Sequence, residues 1–388
     1  MSRPPVRFAV IGCGALASGT HLPNLQKSAK ATLAVCCDAF PKALEQAQER
    51  FAPERVSGDW REVVAASDVD AICLATTEKL RLPVIEAAAA AGKPVYVEKP
   101  LARTLEEVYT IQKIVNESGI PLCVGHNRRS SPAMIDAHRI FRGHMDNPQP
   151  CPWRWDREGD ARPALPEESA AAFNVRVNDD WHSWKAWVYD KEQAPEGPML
   201  FEMTHFTDIC NWFMAAEPVE AFAMETGMLV HAVMIRYADG SMATINMCAN
   251  GTFGYPKELF EAMGRGAMVV IDHMLEVRTA GIAGAPTRTV YPIVNDRYPD
   301  VGKENGLLGY LAKQEAACRE AAETGQTQLT VHGGPDKGHA HQLDRFIDEI
   351  NGDGPAVCPV DDAVLATRVA FAAIQSAKQH RPVKLSEL

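Results

Sequence analysis

The stretch Val6-Arg-Phe-Ala-Val-Ile11, running directly into Gly12-Cys-Gly-Ala-Leu-Ala17, decides how this chain begins to fold. An apolar strand that ends in such a turn is typical of a dinucleotide-binding βαβ unit. Gly12 permits the tight turn, Gly14 lets backbone N–H groups approach a pyrophosphate, and Ala17 leaves room for the helix to pack on the strand. The helix that follows points its positive end at the phosphates. The predicted cofactor contacts at this turn are Gly12, Gly14, Ala15 and Leu16.

An acidic residue stands at the distance that such a turn requires. Asp38 directly follows a second predicted strand, Thr32–Cys37, about 20 residues beyond the turn, where a carboxylate accepts both ribose hydroxyls. A 2′-phosphate would meet this carboxylate as a like charge, so Asp38 favours NAD over NADP. Lys42 lies close enough in the sequence to leave NADP open.

The rest of the first third alternates predicted strands and helices with short connections. The predicted strands are Val69–Ala75, Val95–Val97 and Ile120–Gly125, and the predicted helices are Pro83–Ala91 and one from Thr104 to Gly119. This alternation predicts a parallel, doubly wound sheet that binds its ligand at the carboxyl ends of the strands. The further residues predicted to line the cofactor there are Thr76, Thr77, Glu98, Lys99 and Asn127.

After residue 126 the pattern changes. A helix is expected over residues 132–145, an irregular stretch over 147–190, and strand-like segments with turn signals from about Pro218 to Val290. Consecutive strands without intervening helices predict a mostly antiparallel sheet. The fold class is therefore α/β, with a Rossmann domain over 1–126 and an α+β domain with a large open sheet over 127–388. An open sheet face of that size predicts a homodimer or homotetramer.

Composition excludes several classes of protein. The 388 residues carry a formal net charge of −11 without a basic cluster, so nucleic acid is not an expected partner. No apolar run approaches the ~20 residues of a membrane span. Glycines interrupt the N-terminal run that imitates a secretory signal, and the ten cysteines lack C-x-x-C or metal-ligand spacing. A cytoplasmic enzyme without a metal is the expectation.

Several motifs together resemble the glucose–fructose oxidoreductase / inositol dehydrogenase (Gfo/Idh/MocA) family over essentially the whole chain. These motifs are Ile11–Ala17, Glu98-Lys99-Pro100, Val124-Gly-His-Asn-Arg-Arg129 with Pro132, Glu202-Met-Thr-His205-Phe-Thr-Asp208, and a C-terminal Phe346-Ile-Asp-Glu-Ile350 followed by Asp361-Asp362-Ala363. The resemblance implies an enzyme that uses NAD(P) to oxidise a secondary hydroxyl of a sugar, sugar acid or cyclitol, or to reduce the ketone.

Two residues are the expected proton-transfer groups. A carbinol carbon loses a hydride only if its hydroxyl proton also leaves, so a base must lie within about 3 Å. Lys99 is placed for this role at the strand end, where a nearby positive nicotinamide ring would disfavour its charged form. His205 is expected on a helix that begins near Met199, with Asp208 on the same face to hold its tautomer.

The chain departs from the family pattern at two places. Many of these dehydrogenases carry an aspartate four residues before the histidine, where this chain has Phe201, and Glu202 follows one step later. A helix turns by about 100° per residue, so Glu202 can replace the aspartate only if the backbone register differs. The other departure is Thr77-Glu78 with Arg81, where the family often has Pro-Asn and then His.

A tryptophan-rich segment, Asn178-Asp-Asp-Trp-His-Ser-Trp-Lys-Ala-Trp187, precedes the histidine helix. Aromatic faces stack on sugar rings, and the neighbouring polar groups suit hydroxyls or a carboxylate. The equally weighted alternative is that the tryptophans fix the loop to the sheet or form a subunit contact. The predicted substrate-binding residues are Lys99, Arg128, Trp184, Lys185, Trp187, Glu202 and His205.

Three functions remain possible at this point. The favoured one is an NAD-dependent carbohydrate or polyol dehydrogenase. The alternative is a redox-neutral glycosidase or eliminase that oxidises the sugar transiently and then returns the hydride, so that NAD is a retained catalyst. A cofactor-binding regulator without catalysis predicts a dispensable Lys99, and the intact Glu98-Lys99-Pro100 motif argues against it.

Overall fold

The computed structural model describes residues 3–149, 165–184, 186–190, 196–294, 306–326 and 333–388. Its first sheet has six strands among these residues, in the order β3-β2-β1-β4-β5-β6. The strands are β1 (Val6–Ile11), β2 (Ala31–Cys37), β3 (Arg55–Ser57), β4 (Ala71–Leu74), β5 (Val95–Val97) and β6 (Leu122–Val124). The helices between them are α1 (Leu22–Lys27), α2 (Pro41–Phe51), α3 (Trp60–Ala65), α4 (Arg81–Ala90) and α5 (Leu105–Ser118).

All pairings in this sheet are parallel. Strands covered by helices on both faces require continuous apolar runs, and the strands β4, β5 and β6 are buried at every position. The strand order reverses between β1 and β4, which is the crevice where such sheets bind ligands. The predicted Rossmann fold is confirmed.

The beginning and the end of α5 show how local sequence sets an element. The Thr104 hydroxyl accepts a hydrogen bond from the Glu107 N–H at 3.2 Å, which satisfies a donor that the helix itself leaves unpaired. Gly119 ends the helix with φ +70°, a conformation that glycine adopts without steric cost. The following strand, β6, is thereby directed back into the sheet.

The second sheet has nine strands among the described residues, in the order β14-β13-β12-β11-β7-β10-β9-β8-β15. Its strands are β7 (Ala171–Asn178), β8 (Pro218–Thr226), β9 (Val230–Tyr237), β10 (Met242–Cys248), β11 (Glu258–Gly264), β12 (Ala267–Asp272), β13 (Glu276–Ala280), β14 (Arg288–Val290) and β15 (Val383–Lys384). The remaining helices are α6 (Pro132–Asp146), α7 (Pro198–Phe201), α8 (Met203–Met214), α9 (Gly306–Thr324), α10 (His339–Ile350) and α11 (Val360–Gln379).

The expectation of an irregular stretch over 147–190 is wrong at its centre. Strand β7 lies in the middle of the second sheet, antiparallel to β11 and parallel to β10. Buried and half-buried side chains alternate along the whole strand, and Phe173, Val175 and Val177 are among the buried ones. The surrounding prolines and tryptophans concealed a strand whose partners lie about 70 to 90 residues away in the chain. The sheet is otherwise antiparallel, as predicted.

The two faces of the second sheet differ. Helices α6, α8 and α11 pack on one face and share a core with its inward side chains. On the other face, β8, β9 and β10 present Met224, Met234 and Met242, which are 65%, 49% and 49% exposed. Exposed methionines that lie together on one sheet form the kind of apolar surface that often marks an interaction site.

The C-terminal part of the chain also packs against the first sheet. Leu343 and Phe346 of α10 belong to the core of that sheet, and the Tyr96 hydroxyl donates to Gln342 at 2.8 Å. The Val124 N–H donates to the Cys358 carbonyl at 3.1 Å. The first sheet is therefore completed by residues far beyond position 126. Among the described helices, none is long and apolar enough to cross a membrane.

Gly338, at the start of α10, provides a test of this packing. Its φ is +85°, and a Cβ there would lie 2.3 Å from the Ser131 nitrogen and 2.4 Å from the Ser130 carbonyl carbon. We expect Gly338→Ala to lower the free energy of unfolding by roughly 2–4 kcal/mol, because neither backbone can move without disturbing the sheet edge. Urea unfolding followed by circular dichroism measures this change.

Gly143→Ala is the matched control. Gly143 lies inside α6, and its Cβ would meet nothing within 4 Å, so alanine should stabilise the protein by about 0.5–1 kcal/mol. Equal effects of the two substitutions would contradict the packing of α10 described here.

Candidate active site

The turn after β1 is shaped for a close approach of backbone to ligand. Gly12 has φ +94°, and a Cβ there would lie 2.6 Å from the Ala75 carbonyl oxygen. A Cβ on Gly14 would meet nothing within 4 Å, so its backbone faces open space. Leu16, two residues after Gly14, is 45% exposed. A π-helical turn, Ala17–His21, follows and continues into α1. This open cradle at the start of a helical segment fits a pyrophosphate.

The Asp38 carboxylate is fixed at the carboxyl end of β2. One oxygen accepts the Cys13 N–H at 2.8 Å and the other accepts the Phe40 N–H at 2.9 Å. Thr76 and Thr77 follow the end of β4, beside the same turn, and both are at least partly accessible. Together with the turn, these residues fit a dinucleotide whose ribose hydroxyls donate to Asp38.

Glu98 is a buried carboxylate behind the candidate base. It accepts from the His21 ring at 2.8 Å and from the Lys99 backbone N–H at 3.2 Å. Burial alone would raise the pKa of Glu98, but the His21 hydrogen bond brings it down to about 2. A Cβ on Gly125 would lie 3.1 Å from this carboxylate, so the residue between β6 and His126 must stay small.

Lys99 reaches from the end of β5 to the chain between α7 and α8. Its ammonium donates to the Phe201 carbonyl at 2.8 Å and lies 3.5 Å from a Glu202 carboxylate oxygen. The side chain is only 16% exposed. Burial lowers the pKa of Lys99, and the neighbouring carboxylates of Glu202 and Glu98 oppose that change. The amine is therefore easier to deprotonate than that of an exposed lysine.

Glu202 lies beside Lys99 at the junction of two helices. Helix α7 ends at Phe201, α8 begins at Met203, and Glu202 itself has φ −105° and ψ −41°. The Glu202 N–H still donates to the Pro198 carbonyl at 3.0 Å, whereas the His205 N–H donates to the Glu202 carbonyl at 3.2 Å. Burial alone would raise its pKa, but nearby cations hold the pKa of Glu202 well below its usual range. The carboxylate is ionised.

A buried network of ion pairs surrounds Glu202. Lys257 lies 2.8 Å from Glu202 and 3.0 Å from Asp179. Arg128 lies 3.9 Å from Glu202 and forms a bidentate pair with Glu258 at 2.6 and 2.9 Å. Sequence reasoning pointed to Arg128, Glu202 and the segment that contains Asp179, but not to Lys257 and Glu258, which carry no motif. The one sequence signal of these two residues is their position just before a predicted strand.

His205 faces the same space but is not oriented as expected. Its Nδ1 has no hydrogen-bond partner among the described residues, and neither ring nitrogen of His126 has one either. The two rings lie edge to face, 5.8 Å between centroids. Burial, with Arg128 and Lys99 nearby, holds the pKa of His205 well below its usual range. The site therefore contains buried imidazole nitrogens that are free to bind a polar ligand.

The expectation that Asp208 holds His205 is wrong. Asp208 instead accepts both ends of the Arg129 guanidinium at 2.8 and 2.7 Å. Arg129 also contacts Asp362 at 2.5 Å. A bidentate pair with an arginine is stronger than a bond to a neutral imidazole. Through its contacts with Asp208 and Asp362, Arg129 links α8 to the start of α11.

The first sheet also matches a known family. Residues 6–126 fit the model of the Gfo/Idh/MocA family, described as an oxidoreductase family with an NAD-binding Rossmann fold. Over these residues the chain is similar to the Gfo/Idh/MocA family. The chain is 26% identical over 275 residues to inositol 2-dehydrogenase of Rhizobium meliloti, covering 68% of the chain and 74% of that protein.

Two further likenesses agree with this similarity. Over 145 residues the chain is 36% identical to scyllo-inositol 2-dehydrogenase (NAD(+)) of Bacillus subtilis, covering 37% of the chain and 42% of that enzyme. The structure of levoglucosan dehydrogenase in complex with NADH and levoglucosan superposes with a TM-score of 0.73 at 19% identity, covering 98% of the chain and all of that structure. At this identity the structural likeness shows the fold.

Arg81 marks the second departure from the family pattern. Its buried guanidinium donates to the Thr76 carbonyl at 3.2 Å and the Lys99 carbonyl at 3.3 Å, and lies 3.7 Å from Glu78. The arginine therefore ties the end of β4 to the end of β5. The sequence indicated that the position was unusual but not which groups it joins.

The tryptophan-rich segment lies partly beside α7. The Trp184 ring meets the Phe201 ring edge to face at 5.9 Å between centroids, next to the Lys99 contact. Lys185 and the Trp187 side chain lie outside the described residues. Asn127, predicted at the cofactor, is buried and donates to the Lys337 carbonyl at 2.7 Å.

Proposed function

We propose that this protein is an NAD-dependent dehydrogenase that oxidises a secondary hydroxyl of a sugar, sugar derivative or cyclitol, or reduces the corresponding ketone. The observation that carries the proposal is the Lys99 amine. It lies buried at the carboxyl edge of the sheet that bears the dinucleotide turn, beside an ionised Glu202. The names of the inositol and levoglucosan dehydrogenases support this class of substrate.

Lys99 accepts the hydroxyl proton in this proposal. Bound NAD supplies the hydride acceptor. Lys99 must be neutral to act as a base, and its burial favours the neutral form. Glu202 fixes the direction of the amine, while the Phe201 carbonyl accepts one of its hydrogens. These two contacts keep the Lys99 amine in position to accept the hydroxyl proton.

His205 assists at the same carbinol. Its pKa lies well below the usual range, so the ring is neutral at physiological pH and exchanges hydrogen bonds with a hydroxyl instead of repelling Lys99. The unpaired Nδ1 of His205 and the ring nitrogens of His126 are then satisfied by ligand hydroxyls. Arg128 and Trp184 complete the proposed contacts, the latter as a platform for a ring face.

The first prediction from this proposal concerns Lys99 itself. Lys99→Met should lower kcat/KM by about 10²–10⁴-fold, the usual contribution of a general base. In the unaltered enzyme, kcat/KM for oxidation should rise with pH as Lys99 loses its proton, at a lower pH than an exposed lysine requires. NADH absorbance and product mass, read together on a panel of sugars, sugar acids, cyclitols and glycosides, measure both.

The control for this experiment is Lys113→Met, which removes an exposed lysine from α5 and should leave the rate unchanged. Stoichiometric NADH with a product two mass units lighter is the expected result. Cleaved or eliminated product without accumulated NADH would instead establish the redox-neutral mechanism. Full activity in Lys99→Met would exclude the proposed proton path.

The second prediction concerns the choice between NAD and NADP. Asp38→Ser removes both the acceptor for the ribose hydroxyls and the charge that opposes a 2′-phosphate. The ratio of the Kd for NADP to the Kd for NAD should fall by about tenfold or more, equivalent to at least ~1.4 kcal/mol. Isothermal titration calorimetry measures both constants. Glu117→Ser, which removes an exposed carboxylate from the end of α5, should leave the ratio as it was.

We further propose that the exposed face of β8, β9 and β10 assembles the chain into a homodimer or homotetramer. Met234→Asp should shift the protein toward the mass of one chain, because a charge in an apolar contact is costly. Light scattering over a concentration series measures the mass. Leu308→Asp, at an apolar side chain that is 64% exposed on α9, is the control. A single-chain mass for the unaltered protein would contradict the proposal.

A further inference from the structure

Lys257 is a buried lysine that no motif of the sequence singles out. Its ammonium lies between two carboxylates, 2.8 Å from Glu202 and 3.0 Å from Asp179, and its side chain is 15% exposed. Burying a lysine is costly unless opposite charges compensate for lost hydration. Two carboxylates supply that compensation here, and they hold the pKa of Lys257 above its usual range in spite of burial.

The pair of strands β7 and β11 fixes this lysine in position. Asp179 directly follows β7 and Lys257 directly precedes β11, and the two strands are antiparallel neighbours. The Asn178 N–H donates to the Lys257 carbonyl at 2.7 Å. The Asp179 N–H donates to Cys248 at 2.9 Å, and its carbonyl accepts from Gly251 at 2.9 Å. The second sheet thus presents Lys257 rigidly to the helix junction at Glu202.

Charges of alternating sign connect the sheet to the candidate base. Asp179, Lys257, Glu202 and Lys99 follow one another with separations of 3.0, 2.8 and 3.5 Å. The ionisable groups whose charges act most strongly on Lys99 are Glu202, Glu98, Arg128 and Lys257. The charge of Lys99 also acts on His205, whose ring meets the His126 ring edge to face.

We propose that Lys257 is a positioning residue: bridged to Asp179, it holds the Glu202 carboxylate and adds a positive charge that favours the neutral amine of Lys99. The proposal rests on the proposed role of Lys99 as the base. Lys257 favours the neutral form of Lys99 in two ways. Its charge disfavours a second cation nearby, and its bond to Glu202 keeps that carboxylate from moving closer to Lys99.

The test measures the protonation of Lys99 without substrate or cofactor. Competitive acetylation with acetic anhydride over a pH series, followed by mass spectrometry of the peptide that contains Lys99, gives the pKa of this amine. In Lys257→Met the pKa of Lys99 should rise by about one unit or more, the scale of one nearby charge at an intermediate dielectric. In Lys257→Arg, which keeps the charge, it should stay near its original value.

Asp179→Asn should change the pKa of Lys99 in the opposite direction. Removal of this carboxylate leaves Lys257 uncompensated on one side, so the positive potential at Lys99 grows and the pKa of Lys99 should fall. A merely structural disturbance of the site would move both variants in the same direction. If Lys257→Met does not fold, Asp179→Asn and Lys257→Arg decide the proposal by themselves.

Lys30→Met is the matched control, since Lys30 forms an exposed pair with Asp348 at 2.7 Å. It loses the same charge at the outer surface and should leave the pKa of Lys99 unchanged. An unchanged or lowered pKa in Lys257→Met, or a raised pKa in Asp179→Asn, would overturn the positioning role. Because the readout needs no turnover, this result is independent of whether the protein proves to be a dehydrogenase.

Discussion

The ion pair between Lys99 and Glu202 lies where α7 and α8 meet. At this junction the His205 N–H donates to the Glu202 carbonyl at 3.2 Å. The Phe201 carbonyl accepts from the Lys99 ammonium at 2.8 Å. The geometry of the candidate base therefore depends on this helix junction and on the ion pairs around Glu202.

Those ion pairs also join the two sheets. Arg128 follows β6 of the first sheet and pairs with Glu258, the first residue of β11 in the second. Arg129 links the same loop to Asp208 on α8. Buried pairs of this kind add little net stability over apolar packing, but breaking one is costly because the partner charge remains. Their effect is to fix the relative position of the cofactor edge and the residues that face it.

The site combines bases whose neutral form is favoured with carboxylates that stay charged. Burial lowers the pKa values of Lys99, His126 and His205, whereas neighbouring cations and hydrogen bonds keep Glu98 and Glu202 ionised. Bases that lose a proton more readily than usual thus lie beside carboxylates that keep their charge. Such a division is typical of sites that perform acid–base chemistry.

The Rossmann half, the turn at Gly12 and the placement of Asp38 and Lys99 at one sheet edge could be predicted from the sequence, because each follows from a local pattern of strand, turn and helix. Other features of the site depend on tertiary contacts. Strand β7, the Asp179–Lys257 contact and the pairing of Asp208 with Arg129 join residues about 80 positions apart in the chain. No local periodicity records such pairs, since sheet register and the packing of helices on it bring them together.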